Sequence, residues 1–415
     1  MNTTQCIRRS SCRLCNSGEL ELVIQLTPTP PANAFVKSNR VEVEQSVFPL
    51  DIFFCKNCSH VQLLDVIDPK ILFSKYVYVS GTSPLFVEHF RRYASDVVTQ
   101  FTPKVGSLVV DIGSNDGTLL SFFKNAGMSI LGIDPAREIV KEANENGIET
   151  IEGFFNQCLA EKILVSKGRA SIITANNVFA HADDLEGIIQ GVRSLLAPDG
   201  VFVFEVSYLA DVIEKTLFDT IYHEHLSYHS VRPLRRFFAQ NGMNMFGAYR
   251  VDTHGGSLRG VCQLADGPYS DDGTVSELIT LEQIHALHQV ETFRNFARGI
   301  EVLKYELNTL LEQLKSDGKK IAGYGAPAKS TTLMYHFNIG LDVVDFIVDD
   351  SPLKQGLYSP GRHIPIVSSY QIEKQPPNFL LVLAWNFAEA IISNNQNYQK
   401  KGGQFIIPLP LLEVR

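Results

Sequence analysis

The sequence lacks the features that mark membrane, secreted and nucleic-acid-binding proteins. No apolar run approaches the roughly 20 residues of a membrane span, and the N-terminal segment has no apolar core of a secretory signal. A net charge of −8 without clustered Lys and Arg argues against a nucleic-acid surface. Internal repeats and low-complexity tracts are also missing. These absences predict a cytoplasmic globular protein, and 415 residues allow two or three domains.

Cysteine is scarce, and the seven present do not suit a disulfide framework, because their number is odd and no export signal precedes them. Four of them form two Cys-x-x-Cys pairs, Cys12 with Cys15 and Cys55 with Cys58. Two such pairs supply four thiolates for a tetrahedral zinc ion. Since four protein ligands leave no open coordination position, we expect structural zinc, with His60 as a neighbour and not a ligand.

From residue 107 onward, short apolar strands alternate with helical stretches. Five strands are predicted, at residues 107–113, 129–134, 148–153, 170–176 and 201–207. A helix over residues 231–242 and a hairpin of strands 244–252 and 257–266 follow. This alternation predicts a parallel, doubly wound sheet. A proline-rich loop is predicted at residues 27–33, one long helix over residues 276–316, and a second β/α series from residue 321 to 410.

The turn at residues 111–117 (DIGSNDG) ends the first strand of the series and opens a helix. Its glycines let the backbone approach a ligand, and the helix N-terminus offers N–H donors. Asp134 ends the next strand, where an acid can accept hydrogen bonds from ribose hydroxyls. Up to this point, a dinucleotide and S-adenosylmethionine (SAM) both fit.

Two features favour SAM. The turn begins with an acid, where a dinucleotide fold has G-x-G-x-x-G, and the series ends in a β-hairpin, as in class I SAM methyltransferases. That resemblance implies cofactor-binding residues along the strand ends of the domain. They are Asp111, Gly113, Asn115 and Gly117 around the amino-acid part of SAM, Asp134 at the ribose, Phe154, Phe155 and Asn156 at the adenine, and Asn176 and Asn177 beside the methionine portion.

A run of proton-handling side chains follows the fifth strand: Tyr222, His223, Glu224 and His225, with His229 close behind. Such a cluster indicates acid–base work or metal binding, because histidine titrates near neutral pH. A metal site of His223, His225 and His229 has no regular ligand spacing. His223 and His229 also suit ordinary hydrogen-bonded positions in the core.

The chain as a whole resembles the sugar C-methyltransferases that act on nucleotide-linked keto-deoxysugars. The resemblance rests on the paired Cys-x-x-Cys motifs and on six further segments, at residues 80–84 (SGTSP), 111–117, 176–181 (NNVFAH), 222–230 (YHEHLSYHS), 254–259 (HGGSLR) and 323–329 (GYGAPAK). It implies three domains: a zinc-binding domain over residues 1–75, a class I methyltransferase Rossmann-like domain over 76–267, and a helical linker with a Rossmann-like α/β domain over 268–415 that binds the nucleotide sugar.

The implied reaction needs a base, because a carbon beside a ketone is a poor nucleophile until its proton is removed. It also needs a donor for the enolate oxygen that forms. The resemblance assigns the base to His225, oriented by Glu224 or Glu205. It offers Tyr222 and His181 as donors to the keto oxygen and places Tyr76 in the same cleft. Ser83, Glu205 and His254 are implied substrate contacts.

The turn at residues 323–329 follows a strand and ends in Lys329, which suits a diphosphate through backbone N–H donors and one positive charge. A dinucleotide site and a fold that only packs are the alternatives. Tyr324 and Arg362 join Lys329 as expected substrate contacts.

The resulting hypothesis is SAM-dependent C-methylation, at C-3, of a dTDP- or GDP-linked 4-keto-deoxysugar by a monomer that binds neither nucleic acid nor membranes. The alternatives are O- or N-methylation of a small metabolite and a dinucleotide-dependent sugar oxidoreductase.

Overall fold

A computed structural model describes residues 5–73, 81, 84–253 and 255–415. Tyr76, Ser83 and His254 lie outside the described residues, so the roles predicted for them stay predictions. No helix in the described ranges is long and apolar enough to cross a membrane.

The N-terminal region is built mainly of strands and carries all four cysteines of the two pairs. Its elements are β1 (Cys6–Arg8), β2 (Leu20–Thr29), β3 (Phe48–Cys55), β4 (Val61–Leu63), β5 (Asp65–Ile67) and α1 (Pro69–Phe73). β2 runs through Thr29, so the proline-rich loop begins later than the composition suggested, at Pro30.

The central region contains the predicted β/α series. Its elements are α2 (Pro84–Phe101), β6 (Leu108–Ile112), α3 (Thr118–Asn125), β7 (Ser129–Asp134), α4 (Arg137–Glu145), β8 (Thr150–Glu152), α5 (Gln157–Lys167), β9 (Ala170–Asn176), α6 (Leu185–Leu195), β10 (Leu196–Ser207), α7 (Leu209–Glu214), β11 (Ser227–Tyr228), α8 (Val231–Gln240), β12 (Met243–Val251) and β13 (Ser257–Leu264).

Seven of these strands form one sheet in the order β12-β13-β10-β9-β6-β7-β8. β6 to β10 run parallel, whereas β13 is antiparallel to β10. The continuous apolar run of β10 is buried because helices cover both faces of the sheet. The strand order reverses at β6, so a crevice opens at the carboxyl ends of β6 and β9, where such sheets bind ligands.

The C-terminal region repeats this plan on a smaller scale. Its elements are α9 (Thr274–Ile284), α10 (Val290–Ser316), β14 (Ile321–Tyr324), α11 (Ser330–His336), β15 (Ile347–Val348), β16 (Ile366–Val367), α12 (Tyr370–Lys374), β17 (Phe379–Val382), α13 (Ala388–Asn394), α14 (Gln396–Lys400), β18 (Gln404–Ile407) and β19 (Glu413–Val414). Its sheet has the order β16-β15-β14-β17-β18-β19, with only β19 antiparallel.

The single helix predicted over residues 276–316 is wrong. α9 ends at Ile284, and α10 starts at Val290 after a short connection in which Ala286 has a left-handed backbone, φ 53°. The connection buries Leu287 in the core. No glycine or proline marks the break, so the pattern of Leu, Glu and Gln reads as one helix.

The three regions are not separate bodies. β11, from the central region, pairs with β4 and completes the N-terminal sheet in the order β11-β4-β3-β2. α11 of the C-terminal region packs on β2 and on a short 3-10 turn, Phe218–Thr220. One of the two apolar core clusters runs through all three regions. The segment that carries the Tyr-His-Glu-His run is therefore held between both flanking regions.

Candidate functional site

The two Cys-x-x-Cys pairs converge as predicted. The four Sγ atoms of Cys12, Cys15, Cys55 and Cys58 lie within 4.8 Å of one another. Cys12 is 3.6 Å from Cys58, and Cys15 is 3.5 Å from Cys55. Tetrahedral zinc with Zn–S bonds of about 2.3 Å separates its sulfurs by about 3.8 Å. The residues fit a closed, structural zinc site, and they form the only group of this kind among the described residues.

His60 stands outside this cluster. Its Nε2 lies 3.2 Å from the Ser227 hydroxyl, and its ring stacks on that of His229. Burial, together with the nearby charge of Arg13, lowers the pKa of His60 to about 3, so the imidazole is neutral. His60 therefore links the zinc region to the segment after the Tyr-His-Glu-His run.

The glycines of the 111–117 turn serve the packing of the turn itself. Gly113 and Gly117 have φ of 72° and 76°, a conformation that costs side chains with a Cβ atom. A Cβ on Gly113 would lie 2.2 Å from Val178, and one on Gly117 would lie 2.6 Å from Ile148. At Gly113 the turn thus packs closely against the loop after β9, beside the crevice expected to take SAM.

Two buried carboxyl groups line the same crevice. Asp111 accepts a hydrogen bond from the Thr174 hydroxyl at 2.6 Å, and burial raises the pKa of Asp111 to about 7. Asp134 accepts from the amides of Asn115 and Ala136 at 3.0 and 2.8 Å. Burial raises the pKa of Asp134 too, against these two hydrogen bonds. Asp134 therefore ties the turn after β6 to the end of β7.

Buried polar atoms mark where a ligand fits. Both side-chain polar atoms of Asn176, at the end of β9, are buried, and among the described residues the Tyr93 hydroxyl is the polar group near them. Buried amides need partners, so these atoms suit the polar methionine end of SAM or the substrate. The next residue, Asn177, has φ 54° and donates its amide to the Glu205 carbonyl at 2.8 Å.

The three residues expected at the adenine, Phe154 to Asn156, have different environments. Phe154 is 42% exposed and presents an open ring. Phe155 is buried in the core, and Asn156 caps α5 by accepting from the Leu159 amide at 2.9 Å. The side chains of Phe155 and Asn156 are thus engaged within the protein, which leaves Phe154 as the ring that can stack on a base.

His225 is held by a backbone group. Its Nδ1 lies 2.8 Å from the Thr220 carbonyl oxygen, which can only accept, so Nδ1 carries the proton. The lone pair of the neutral ring is then on Nε2. The ring of His181 stacks on that of His225 at 5.0 Å, and Tyr222 lies 4.1 Å away, centroid to centroid. The sequence suggested a carboxylate as the orienting group, whereas the structure gives Nδ1 the Thr220 carbonyl.

The two candidate carboxylates have other contacts. Glu224 is buried and accepts from the Asn33 amide at 2.8 Å, in the loop after β2. Glu205 accepts from His89 at 2.7 Å and from Arg259 at 2.6 Å. Burial alone would raise the pKa of Glu205, but these two partners outweigh it and lower the pKa. Glu205 thus fixes α2 against β13 at the crevice and does not meet His225 through these bonds.

The remaining histidines of the run are part of the scaffold. His223 lies 3.2 Å from the Phe48 carbonyl, and His229 lies 3.3 Å from the Phe179 carbonyl. Burial lowers the pKa of His223 to about 4 and that of His229 to about 3. Neutral, buried rings of this kind anchor the segment to the zinc region and to the central sheet.

The loop that carries His225 is docked on the loop after β9. The amides of Leu226 and Ser227 donate to the Ala180 carbonyl at 2.9 and 3.1 Å. Ala180 immediately precedes His181, four residues beyond Asn176. The Tyr-His-Glu-His run therefore lies next to the loop after β9.

The ammonium group of Lys329, expected at a diphosphate, contacts two side chains of the protein. Its Nζ lies 3.8 Å from Asp219 and 4.3 Å from the centre of the Trp385 ring, while Trp385 donates to Asp219 at 2.6 Å. Burial lowers the pKa of Lys329 and raises that of Asp219, each against the attraction of the other. The positive charge predicted for a diphosphate is already paired within the protein.

The rest of the C-terminal turn is engaged as well. The Ala326 amide donates to Asp349 at 2.7 Å, repeating the bond from Asn115 to Asp134. Tyr324 is buried with its hydroxyl 3.4 Å from Asp350. Arg362 lies over the Tyr335 ring at 4.6 Å and bonds to Asn338 at 3.0 Å. The structure does not bring Arg362 to the turn through these contacts.

Sequence reasoning missed Asn33, His89, the Thr220 carbonyl and Asp219. A backbone carbonyl has no signature in the sequence, and Asp219 and Asn33 stand in segments without a motif. His89 could have been found only through its spacing on α2, where it follows the 80–84 motif by one turn.

Three family models match the chain in succession. They are a zinc binding domain over residues 12–73, a methyltransferase domain over residues 86–246, and a C-methyltransferase C-terminal domain over residues 252–410. The central match agrees with the class I topology of the seven-stranded sheet. The protein is thus a SAM-dependent methyltransferase with a zinc-binding region.

Similar proteins indicate which kind of methylation this family carries out. The C-methyltransferase NovU of Streptomyces niveus is 35% identical over 399 residues, which are 96% of this chain and 95% of that protein. The ubiquinone biosynthesis O-methyltransferase of Actinobacillus pleuropneumoniae serotype 5b is 37% identical over 112 residues, or 24% of this chain and 45% of that protein. Among solved structures, the magnesium protoporphyrin IX methyltransferase of Synechocystis PCC 6803 with bound SAH is 18% identical and covers 43% of this chain and 84% of that chain. Its TM-score of 0.33 is too low to support an inference.

The full-length match to a C-methyltransferase favours C-methylation over the oxidoreductase and the O- or N-methyltransferase alternatives. Because this match runs through all three regions, the chain belongs to the SAM-dependent sugar C-methyltransferase family.

Proposed function

We propose that the protein methylates C-3 of a dTDP- or GDP-linked 4-keto-deoxysugar, with His225 as the base that forms the enolate. The docking of the 225–227 segment on Ala180 carries the proposal, because it sets the base beside the end of β9. The match to NovU supports a C-methylation. SAM, when bound in the crevice of β6 and β9, supplies an electrophilic methyl group.

In this mechanism, Nε2 of His225 takes the proton from the carbon next to the ketone. The electron pair of the broken C–H bond moves onto the ketone oxygen. Tyr222 or His181, both packed on the His225 ring, donates a hydrogen bond to that oxygen as its charge grows. Tyr76 is a further proposed donor to the same oxygen.

Glu224 has a supporting part in this arrangement. Glu224 directly precedes His225 in the chain and is held in a buried position by Asn33, and in this mechanism its carboxylate favours the imidazolium that proton transfer creates. The N-terminal region thus takes part in the site through Asn33.

The test is His225→Asn, which keeps a polar side chain but removes the base. We expect turnover to fall by about 10²–10⁴-fold, the contribution of a positioned base, while the Kd for SAM measured by calorimetry stays unchanged. Solvent deuterium exchange at C-3, followed by NMR, should be lost in parallel.

His223→Asn provides a matched control, since His223 is buried and bonded to the Phe48 carbonyl outside the reacting groups. Full turnover and exchange in His225→Asn would refute the base. An O-methylated product would refute C-methylation. The absence of any product with both the dTDP- and the GDP-linked sugar would refute the substrate class.

A further inference from the structure

Asp219, Lys329 and Trp385 form a buried cluster that takes no part in the proton transfer proposed for His225. The Asp219 side chain is fully buried, with Trp385 and Lys329 of the C-terminal region on Oδ2. Its other oxygen, Oδ1, has no hydrogen-bond partner among the described residues. Burying an ion pair gains little net stability, because desolvation offsets the attraction. A contribution to stability therefore does not account for the cluster, and its geometry offers another role.

The cluster lies one residue before the group that holds His225. Asp219 sits in the Phe218–Thr220 turn, and the Thr220 carbonyl accepts from Nδ1 of His225. On the other side, the Ile221 carbonyl accepts from the Thr332 hydroxyl of α11 at 2.7 Å. The C-terminal region thus contacts both neighbours of Thr220. The peptide unit of the Thr220 carbonyl is also held within the turn, because the Ile221 amide donates to the Phe218 carbonyl at 3.0 Å.

We propose that Asp219 is a positioning residue: clamped by Lys329 and Trp385, it aims the Thr220 carbonyl so that His225 keeps its proton on Nδ1 and its lone pair on Nε2. The catalytic consequence rests on the proposed role of His225. The effect on the tautomer does not, because it follows from the hydrogen bonds alone.

The main test is Asp219→Asn, which retains an acceptor for the Trp385 N–H but removes the attraction to Lys329. With ¹⁵N-labelled histidine, the His225 signals, assigned by their loss in His225→Asn, report the tautomer. We expect the Nδ1–H form in the parent enzyme and a mixture of tautomers in the variant. kcat should fall about tenfold or more, because only the His225 tautomer with its lone pair on Nε2 acts as a base. KM and the Kd for SAM should stay unchanged.

The pH dependence of kcat/KM gives a second test of the role of Asp219. A carbonyl that accepts from Nδ1 stabilises the imidazolium, so weakening this bond lowers the pKa of His225. The acidic limb of kcat/KM should therefore move to lower pH in Asp219→Asn. Trp385→Phe, which keeps a ring but removes the N–H donor, should shift the tautomer in the same direction by a smaller amount.

Asp211→Asn is a matched control, since Asp211 is also buried and paired with a cation, Arg250, but its bonds do not reach the 218–225 loop. It should lose stability with the His225 signals unchanged. An unaltered tautomer in folded Asp219→Asn would overturn the positioning role, as would an equal change in Asp211→Asn. If His225→Asn were active while Asp219→Asn still changed the tautomer, only the proposed base would fail.

Discussion

At the scale of single residues, burial decides which acids and histidines can act. The His223 and His229 rings are neutral because they are enclosed, whereas His225 is half-buried among Tyr222 and His181. The sequence shows four adjacent ionisable residues but not their environments. Their separate roles therefore appear only when the chain is folded.

Asp111 gives a prediction about pH. Because burial raises its folded pKa to about 7, from 3.8, the ionised form appears as the pH rises through 7. SAM carries a sulfonium and an ammonium group, which favour that ionised form. We expect the affinity for SAM to rise about tenfold between pH 6 and pH 8, and the slope to vanish in Asp111→Asn. Calorimetry at both pH values measures the Kd for SAM. An equal Kd at the two pH values in the parent protein would contradict the role of Asp111.

The same shift affects the stability of the ligand-free protein in the opposite direction. A raised folded pKa means that the native state holds the proton more tightly than the unfolded state does. The contribution is fully present below the unfolded pKa of 3.8 and is lost as the pH rises through about 7. Asp111→Asn should therefore stabilise the ligand-free protein above pH 7 relative to the parent, which denaturant titration would detect.

At the scale of elements, the turn after β6 depends on close packing at its glycines, and the packing is tighter at Gly113 than at Gly117. Gly113→Ala should cost about 1–2 kcal/mol for the backbone conformation and about 1–3 kcal/mol more for the clash with Val178. Gly106→Ala is the matched control, because its φ is 83° and no atom lies within 4 Å of the new Cβ. It should show the conformational cost alone.

Urea unfolding of both variants, with the Kd for SAM, separates the two costs. Gly113→Ala should also weaken SAM binding, because relieving the clash moves the loop after β9. Adding Val178→Ala should restore part of the loss. Equal costs at the two glycines would show that the turn tolerates the clash.

Regular elements could be predicted because their patterns are local. The five parallel strands, the hairpin of β12 and β13, the helix α8 and the convergence of the four cysteines are confirmed by the structure. The break at Ala286 could not be predicted, since a left-handed alanine has no local signal. β11 is too short to show a pattern, and the bonds of Asn33 and Asp219 join residues far apart in the sequence. The partner of His225 is a backbone carbonyl, that of Thr220, which no side-chain pattern reveals.

At the scale of the whole molecule, the four-stranded sheet connects the cysteine cluster to the Tyr-His-Glu-His run. Cys55 ends β3, β3 pairs with β4, and β4 pairs with β11 directly behind the Tyr-His-Glu-His run. The same region provides Asn33 to Glu224. The SAM crevice, in contrast, is built on the seven-stranded sheet.

We therefore expect one zinc ion per chain, and we expect Cys58→Ser to lose zinc and most turnover while it retains SAM binding. Cys158→Ser is the control, because Cys158 is exposed and outside the cluster. Metal analysis, turnover and calorimetry on both variants test this. Full turnover without zinc would refute the connection, and so would a parallel loss of SAM binding.

The pairing of β11 with β4 also bears on how the chain folds. Val61 and Tyr228 are partners although 167 positions separate them (228 − 61). During synthesis, the N-terminal sheet therefore exposes an open strand edge until residue 228 has left the ribosome. Contacts of such long separation slow folding, and open edges invite pairing with other chains.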